Sequence, residues 1–316
     1  MTETRRSVVV VGAGQWGIAL AAAAARKGGD VLLYTRREVE VSPTGVKVVR
    51  DPAVVSGARA IVLAVPSSSA REVIRSLAPH VDADQIVIHG VRGLVGEKME
   101  TISDVVLEET RARKVGAMGG PVIATDLLAG APSALVSGAT DPEVHRAVLD
   151  IFGGPLMRVY SRRDLRGVEW ASALVGCLTV AVGYTQQIGV NPALVATAIT
   201  RGMQEAARIT ASVGGDPQTR LGLAGFGDLL ASIGQRERPE VLLGAWLARG
   251  RNIGEAAAAV GQRVEAVELV PRIVAWAERK NLRAPIFAAL AHRVFRGHAS
   301  DEIVEALVVL PVEDEG

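Results

Sequence analysis

This chain of 316 residues is short of several things, and each shortage removes a class of reading. It has a single cysteine, Cys177. No internal disulfide can form, and a reducing compartment, the cytoplasm, is the expected location. Set in an apolar run, that thiol is expected to be buried and inert rather than nucleophilic. The chain also lacks net charge: 35 Lys and Arg stand against 34 Asp and Glu, formally +1. No bulk electrostatic attraction to nucleic acid or to an anionic membrane follows. It lacks an apolar run of membrane length, since 171–183 is too short to cross a bilayer. The basic start MTETRRS leads into an apolar run too short for a secretory signal and broken by a glycine turn. No internal repeat stands out.

What is present is organised around residues 7–37. A short apolar run, Val8 to Val11, enters Gly12-Ala13-Gly14-Gln15-Trp16-Gly17; an alanine-rich helical stretch follows, then Asp30 and a second apolar run, Val31 to Tyr34. This is strand, glycine turn, helix, strand. Gly12 permits the tight turn, Gly14 lets the backbone approach a pyrophosphate, and Gly17 lets the helix pack closely on the strand. The helix start then offers free N–H groups and partial positive charge to phosphates. A site for NAD usually carries an acid at the end of the second strand to hold the ribose hydroxyls. This chain has none there and has Arg36 and Arg37 instead. Those arginines suit a 2′-phosphate or an adenine face, which favours NADP slightly over NAD.

With 49% hydrophobic and 22% charged residues, the composition is that of an ordinary globular protein, and the length suggests two domains. Residues 38–56 read as a polar link. Ala58–Pro66 reads as a buried strand, with Ser67-Ser68-Ser69 capping a helix over Ala70–Leu77. Further strands are expected at Gln85–His89, Val115–Met118, Ala134–Gly138 and Met157–Tyr160. The alternation predicts a doubly wound parallel sheet of Rossmann type over 1–163. Beyond Asp164 the period changes. Val168–Tyr184 is apolar on nearly every side and reads as a buried central helix. Asn191-Pro192 opens a long helix toward Val213, and helices are expected at Arg238–Arg249, Ile253–Val260, Val264–Lys280, Pro285–Phe295 and Asp301–Leu307. Residues 164–316 are therefore expected to form an all-helical domain, with a frayed acidic tail from Pro311 to Gly316. The fold class is α/β plus all-α.

The order of motifs resembles bacterial NAD(P)-dependent glycerol-3-phosphate dehydrogenase over nearly the whole chain. GAGQWG at 12–17, LAVPS at 63–67, RVYSRRDLRGVEWASAL at 158–174, ITRGMQEAARI at 199–209, LAGFGDLL at 223–230 and the region of Glu265 carry the likeness. The resemblance implies hydride transfer between a nicotinamide and dihydroxyacetone phosphate or glycerol 3-phosphate, a small-molecule partner. It also implies dimerisation through the helical half. The cofactor residues it implies are Gly12, Gly14, Gln15, Trp16, Gly17, Pro66, Ser67 and Glu265, although the glycine that follows the glutamate in the family is Ala266 here.

The chemical end of the resemblance is altered. After Ala173-Leu174 the family continues with a proton-donating lysine and an asparagine; here these places hold Val175 and Gly176. A second family lysine is Arg92, which keeps the charge but scarcely releases a proton. The phosphate-gripping Arg-Asn pair corresponds to Pro239 and Glu240, the serine after Gly-Pro is Val122, and a nearby lysine is missing from 124–126. Asp228, which in the family positions the lysine, is kept, as are Arg201 and Asn191; Ser232 replaces a threonine. The segment before Pro66 is about twenty residues shorter than loops of this kind in the family. Three readings follow: a cofactor-binding family member with lost or altered catalysis, serving as sensor, binding partner or scaffold; an oxidoreductase on another, unphosphorylated carbonyl, with Tyr184 or His89 as displaced proton donor; or an ordinary glycerol-3-phosphate dehydrogenase with relocated groups.

Overall fold

The computed structural model describes residues 7–39 and 42–297. The basic start, the helix expected at 301–307 and the acidic tail lie outside the described residues. Contacts divide the chain into two compact units, Met1–Ser172 with Gly214–Asp228, and Ala173–Val213 with Leu229–Gly316. A break at 163/164 is thus not where the compact units part. The chain passes between them inside a helix, after Ser172, because that helix runs unbroken through the boundary.

The first unit opens with β1 (Ser7–Val11), α1 (Gln15–Ala25), β2 (Val31–Tyr34), β3 (Val46–Val49), β4 (Ala58–Leu63), α2 (Ser67–Leu77), β5 (Ile86–His89) and α3 (Ile102–Glu109). It continues with β6 (Lys114–Gly119), α4 (Ala124–Ala129), β7 (Ser133–Ala139), α5 (Pro142–Phe152) and β8 (Met157–Arg162). The eight strands form one sheet in the order β3-β2-β1-β4-β5-β6-β7-β8. β1 pairs with β2 on one side and β4 on the other, so the chain reverses its direction of travel across the sheet there. Open α/β sheets bind ligands outside the carboxyl ends of the strands at such a point.

Both faces of β1 are covered, which is why it is an unbroken run of valine. Val8 and Val10 point into one core with Ala19 and Leu20 of α1 and Val144 and Val148 of α5. Val9 and Val11 point into the other with Val73 and Ile74 of α2 and Val105 of α3.

Three sequence expectations need correction here. The link over 38–56 contains an edge strand, β3, parallel to β2. It is half exposed and only four residues long, so its apolar signal is weak. The sheet is not wholly parallel, since β6 and β7 are antiparallel. The six-residue α4 ends on Gly130 in the left-handed conformation, φ +71°, and turns the chain back. The serines at 67–69 do not cap α2 from outside. They form its first turn after Pro66, and the Ser69 hydroxyl donates to the Pro66 carbonyl at 3.2 Å.

α6 (Leu165–Ile188) begins in the first unit, where Val168 fills the space left by Gly138 and Ser172 the space left by Gly119. At 24 residues it is longer than the apolar run suggested and is apolar enough to cross a membrane by composition, with a mean hydropathy of 1.4. Of that apolar window 83% is buried within the protein.

The second unit continues with α7 (Pro192–Ser212), α8 (Asp228–Gly234, whose first residue belongs to the first unit), α9 (Pro239–Ala248), α10 (Ile253–Val260), α11 (Ala266–Arg279) and α12 (Pro285–Ala289). Asn191 caps α7 through its side-chain oxygen on Ala193 N at 2.8 Å, with Pro192 at the first helical position as the sequence indicates. Glycines let the helices approach: a Cβ at Gly183 would strike the Val241 backbone, and one at Gly244 the Val180 carbonyl.

Candidate functional site

In the first unit the residues picked out from sequence gather at the carboxyl ends of β1, β4, β5 and β6. Gly12 leaves β1 at φ +108°, and a Cβ there would lie 2.5 Å from the Ala64 carbonyl oxygen at the end of β4. A Cβ on Gly17 would collide with the Gly12 carbonyl. Gly14 is different: nothing lies within 4 Å of its missing Cβ, and it is exposed. It is the N-cap of α1, with no side-chain cap and no acid in the first turn. Two glycines are thus required by packing, and the third faces open space beside uncapped N–H groups. That cradle fits a pyrophosphate.

Trp16 Nε1 is buried without a hydrogen-bond partner, and its indole lies so close to Gly90 that a Cβ there would be 2.6 Å from it. Gly90, directly after β5, is thus required by packing against Trp16, a contact whose only signal in the sequence is a glycine at the end of an apolar strand. Pro66 and the buried Ser67 open α2 beside this cradle's β4 edge.

The two arginines after β2 separate in role. Arg36 donates to Glu72 at 2.8 Å in an exposed ion pair that raises its pKa, first through that hydrogen bond. The exposed Arg37 guanidinium makes no hydrogen bond or ion pair among the described residues.

At the end of β5, Arg92 Nη1 donates to Asp228 Oδ2 at 2.5 Å and Nη2 to the Gly120 carbonyl at 3.0 Å. The Asp228 side chain is fully buried and that of Arg92 is 22% exposed. Asp228 begins α8 after a widened helical turn, Leu223–Gly227, in which a Cβ at Gly225 would strike the Arg220 backbone. The buried Asp228 carboxylate is therefore engaged by a guanidinium. His89 is placed otherwise than a displaced proton donor requires. Its Nε2 lies 2.8 Å from Glu169 Oε1, which also accepts from Ser103 N at 2.9 Å, and all three residues are buried. It ties β5 to α3 and α6.

The second unit brings together a different set. Val175 and Gly176 are buried in α6, Val175 at 1% exposure. A Cβ at Gly176 would meet only Glu240 Oε1, 4.0 Å away. Glu240, in the first turn of α9, accepts from Arg238 Nε at 3.2 Å through its other oxygen. The next residue of α6, Cys177, is fully buried; burial pushes its thiol pKa up, and the carboxylates of Glu240 and Glu265 add to the effect. Gly176, Glu240 and Glu265, picked out from separate stretches of sequence, thus share one neighbourhood. Ser232 is buried and donates to Leu229 O at 2.6 Å within α8. Tyr184 lines an apolar pocket with Leu178, Ile199, Ile286 and Leu290, and burial raises its pKa. Among the described residues no cluster of His, Cys, Asp and Glu is able to hold a metal ion.

The glycine cradle at the β1/β4 reversal, followed by a helical unit, defines a dinucleotide-binding protein of Rossmann type with a helical second part. Comparison with known proteins narrows this. Residues 39–145 match the family model for the NAD-dependent glycerol-3-phosphate dehydrogenase N-terminus and 164–305 that for its C-terminus. The chain is 32% identical to "Glycerol-3-phosphate dehydrogenase [NAD(P)+]" of Moorella thermoacetica, over 97% of each chain. It is 30% identical to the protein of that name from Bradyrhizobium diazoefficiens, over 98% of each. Its structure is similar to that of glycerol-3-phosphate dehydrogenase from Coxiella burnetii, with a TM-score of 0.89 at 26% identity over 96% of this chain and 99% of that one. The Plasmodium falciparum enzyme, at 16% identity and a TM-score of 0.86, shares the fold. The chain belongs to the NAD-dependent glycerol-3-phosphate dehydrogenase family.

Proposed function

We propose that this protein binds NAD(P) in the glycine cradle of its first unit and does not reduce dihydroxyacetone phosphate at the rate usual for an enzyme. The backbone of Gly12, Gly14, Gln15, Trp16 and Gly17 would hold the pyrophosphate, and Pro66 and Ser67 would lie along the cofactor. Arg37, with its guanidinium unengaged, supports a preference for the 2′-phosphate of NADP. When bound, the nicotinamide supplies or accepts a hydride.

On this reading the family's proton-moving lysine has no counterpart at the position the resemblance assigns to it. The observation that carries the reading is the buried Val175 where resemblance places the donor, together with Arg92 on the aspartate that would position it. Arginine stabilises a developing oxyanion by charge but stays protonated. Loss of a general acid costs about two to four orders of magnitude in rate. Loss of a preorganised electrostatic group costs about two to three more, and such losses need not add, because the groups act as a unit. The proposal gives the cofactor-loaded chain a sensing or binding role.

Fluorescence titration with NADH and NADPH tests the first half: binding of NADPH at least as tight as NADH is expected, and failure to bind either refutes it. Loss of NAD(P)H absorbance with dihydroxyacetone phosphate tests the second, and turnover in the ordinary enzyme range refutes it. The double variant Val175→Lys with Gly176→Asn is expected to raise any residual rate without reaching a full one, because Glu240 is still present.

A further inference from the structure

The space beside Gly176 is the least explained feature of the second unit. Gly176 is buried in the middle of a long helix, where glycine costs about 1 kcal/mol relative to alanine. A packing role would make its missing Cβ a point of collision, as at Gly183 and Gly244, yet beyond its chain neighbours and its own helix backbone a Cβ there would meet one carboxylate oxygen, 4.0 Å away. That oxygen, Glu240 Oε1, has no protein donor among the described residues, while Oε2 accepts from Arg238. The Glu240 side chain is 15% exposed and that of Arg238 1%, so the carboxylate is the more accessible member of the pair. Glu265 adds a second carboxylate to the same neighbourhood through its effect on Cys177.

We infer that the space between Gly176 and Glu240 is a subsite for the hydroxyl end of a small uncharged polyol or hydroxyketone, and that Glu240 excludes phosphorylated counterparts. A carboxylate is an acceptor only, so its free oxygen recognises an O–H. Placed against a phosphate it repels, which makes one residue both the attraction and the rejection. The glycine provides the room that a side chain would take. The inference rests on the altered-catalysis reading above and gives that site its ligand class.

The test measures binding by ligand-observed NMR, with and without NADPH, using glycerol and dihydroxyacetone against glycerol 3-phosphate and dihydroxyacetone phosphate. The unphosphorylated probes are expected to bind at least about tenfold more tightly than their phosphorylated counterparts, the scale of one hydrogen bond to a charged group. Glu240→Gln is expected to narrow that preference by about the same factor. Gly176→Ala is expected to raise Tm, as alanine in a helix should, and to weaken glycerol and dihydroxyacetone; a glycine with a purely structural role would change Tm alone. Equal or tighter binding of the phosphorylated probes to the unaltered protein overturns the inference, as does absence of glycerol and dihydroxyacetone binding, or an unchanged preference in both variants. Failure to bind NADPH refutes the cofactor reading alone, since probe binding is read in its absence as well. Brisk turnover of dihydroxyacetone phosphate refutes both. Slow turnover with no preference among the probes refutes only the subsite.

Discussion

At the scale of single residues, the two ends of one turn make opposite demands. Gly14 has extended backbone, φ −73° and ψ 171°, and open space around its missing Cβ, whereas a Cβ at Gly17 collides with the Gly12 carbonyl. Gly14→Ala is therefore expected to fold with an unchanged Tm and to weaken NADPH by at least about tenfold, since a methyl group would stand where the pyrophosphate approaches, at a steric cost of ~1–3 kcal/mol. Gly17→Ala is expected to lower Tm as well, because backbone cannot move aside as a side-chain end can. Thermal melts beside NADPH titrations separate the two, and equal loss of stability in both variants contradicts the assignment of separate roles.

His145 gives a second residue-scale expectation. Its Nδ1 meets Ser137 Oγ at 3.0 Å and its Nε2 is buried without a partner. Burial holds its pKa below the ordinary 6.5, and Arg163 adds to the lowering, against the opposing effect of a hydrogen bond with the Ala139 backbone and of Asp141. The unfolded chain then takes up this proton at a higher pH than the folded one. The stability linked to His145 is present above pH 6.5 and is lost as pH falls from there through the folded value. The urea midpoint should decline between about pH 7 and about pH 5, and His145→Gln should flatten that decline. A decline of the same size in the variant assigns it to other groups.

At the scale of elements, the second unit has a buried device that no sequence pattern announces. Glu205 of α7 is 1% exposed, and its carboxylate accepts from Ile286 N at 2.8 Å and Phe287 N at 3.2 Å, capping α12 from another helix. The residue that would cap α12 locally is Ala284, whose methyl group cannot accept a hydrogen bond. Glu205→Ala is expected to cost about 2 kcal/mol, through lost charge-assisted bonds and exposed helix-end donors, read as a lower urea midpoint. A change under about 0.5 kcal/mol would mean that water replaces the cap fully.

The same element shows where sequence reading stops. The local signals were strong for α7, with its Asn191-Pro192 start, and for α10, whose Ile253–Val260 span matches the expectation. They failed for β3, because a four-residue edge strand buries too little to leave a pattern, and for the direction of β7, which depends on a short helix and a left-handed Gly130. The site divides likewise. The cradle was legible because glycines leave an unmistakable local spacing. Gly90 under Trp16, Arg92 on Asp228 and Glu240 beside Gly176 join stretches far apart in the chain, and only folding reveals them.

At the scale of the whole molecule, the first unit is built from two separate pieces of chain, and the second piece is chemically committed to it. Arg162 of β8 donates to Asp216 at 2.6 Å and to Thr219 at 3.0 Å, and Asp164 accepts from Asp216 N at 2.9 Å. Ala224 joins Ala117, Val136, Val168 and Ala171 in one buried cluster, and Asp228 holds Arg92. A fragment ending at residue 163, where the sequence period changes, would keep the sheet but lose Val168, Ala171 and Ala224 from that cluster, with the partners of Arg92 and Arg162. Burying a Val or Leu side chain contributes about 1.5–3 kcal/mol against domain stabilities of about 5–15 kcal/mol, so losses of this kind remove much of the margin. The fragment 1–163 is therefore expected to melt well below the intact chain or to aggregate, whereas 1–228, which retains 214–228, should melt closer to it. Circular-dichroism melts of the three proteins decide the matter. If 1–163 unfolds as sharply and at as high a temperature as the intact chain, the 214–228 segment is an ornament on a self-sufficient sheet, and Asp228 is anchored by something other than the unit in which its partner lies.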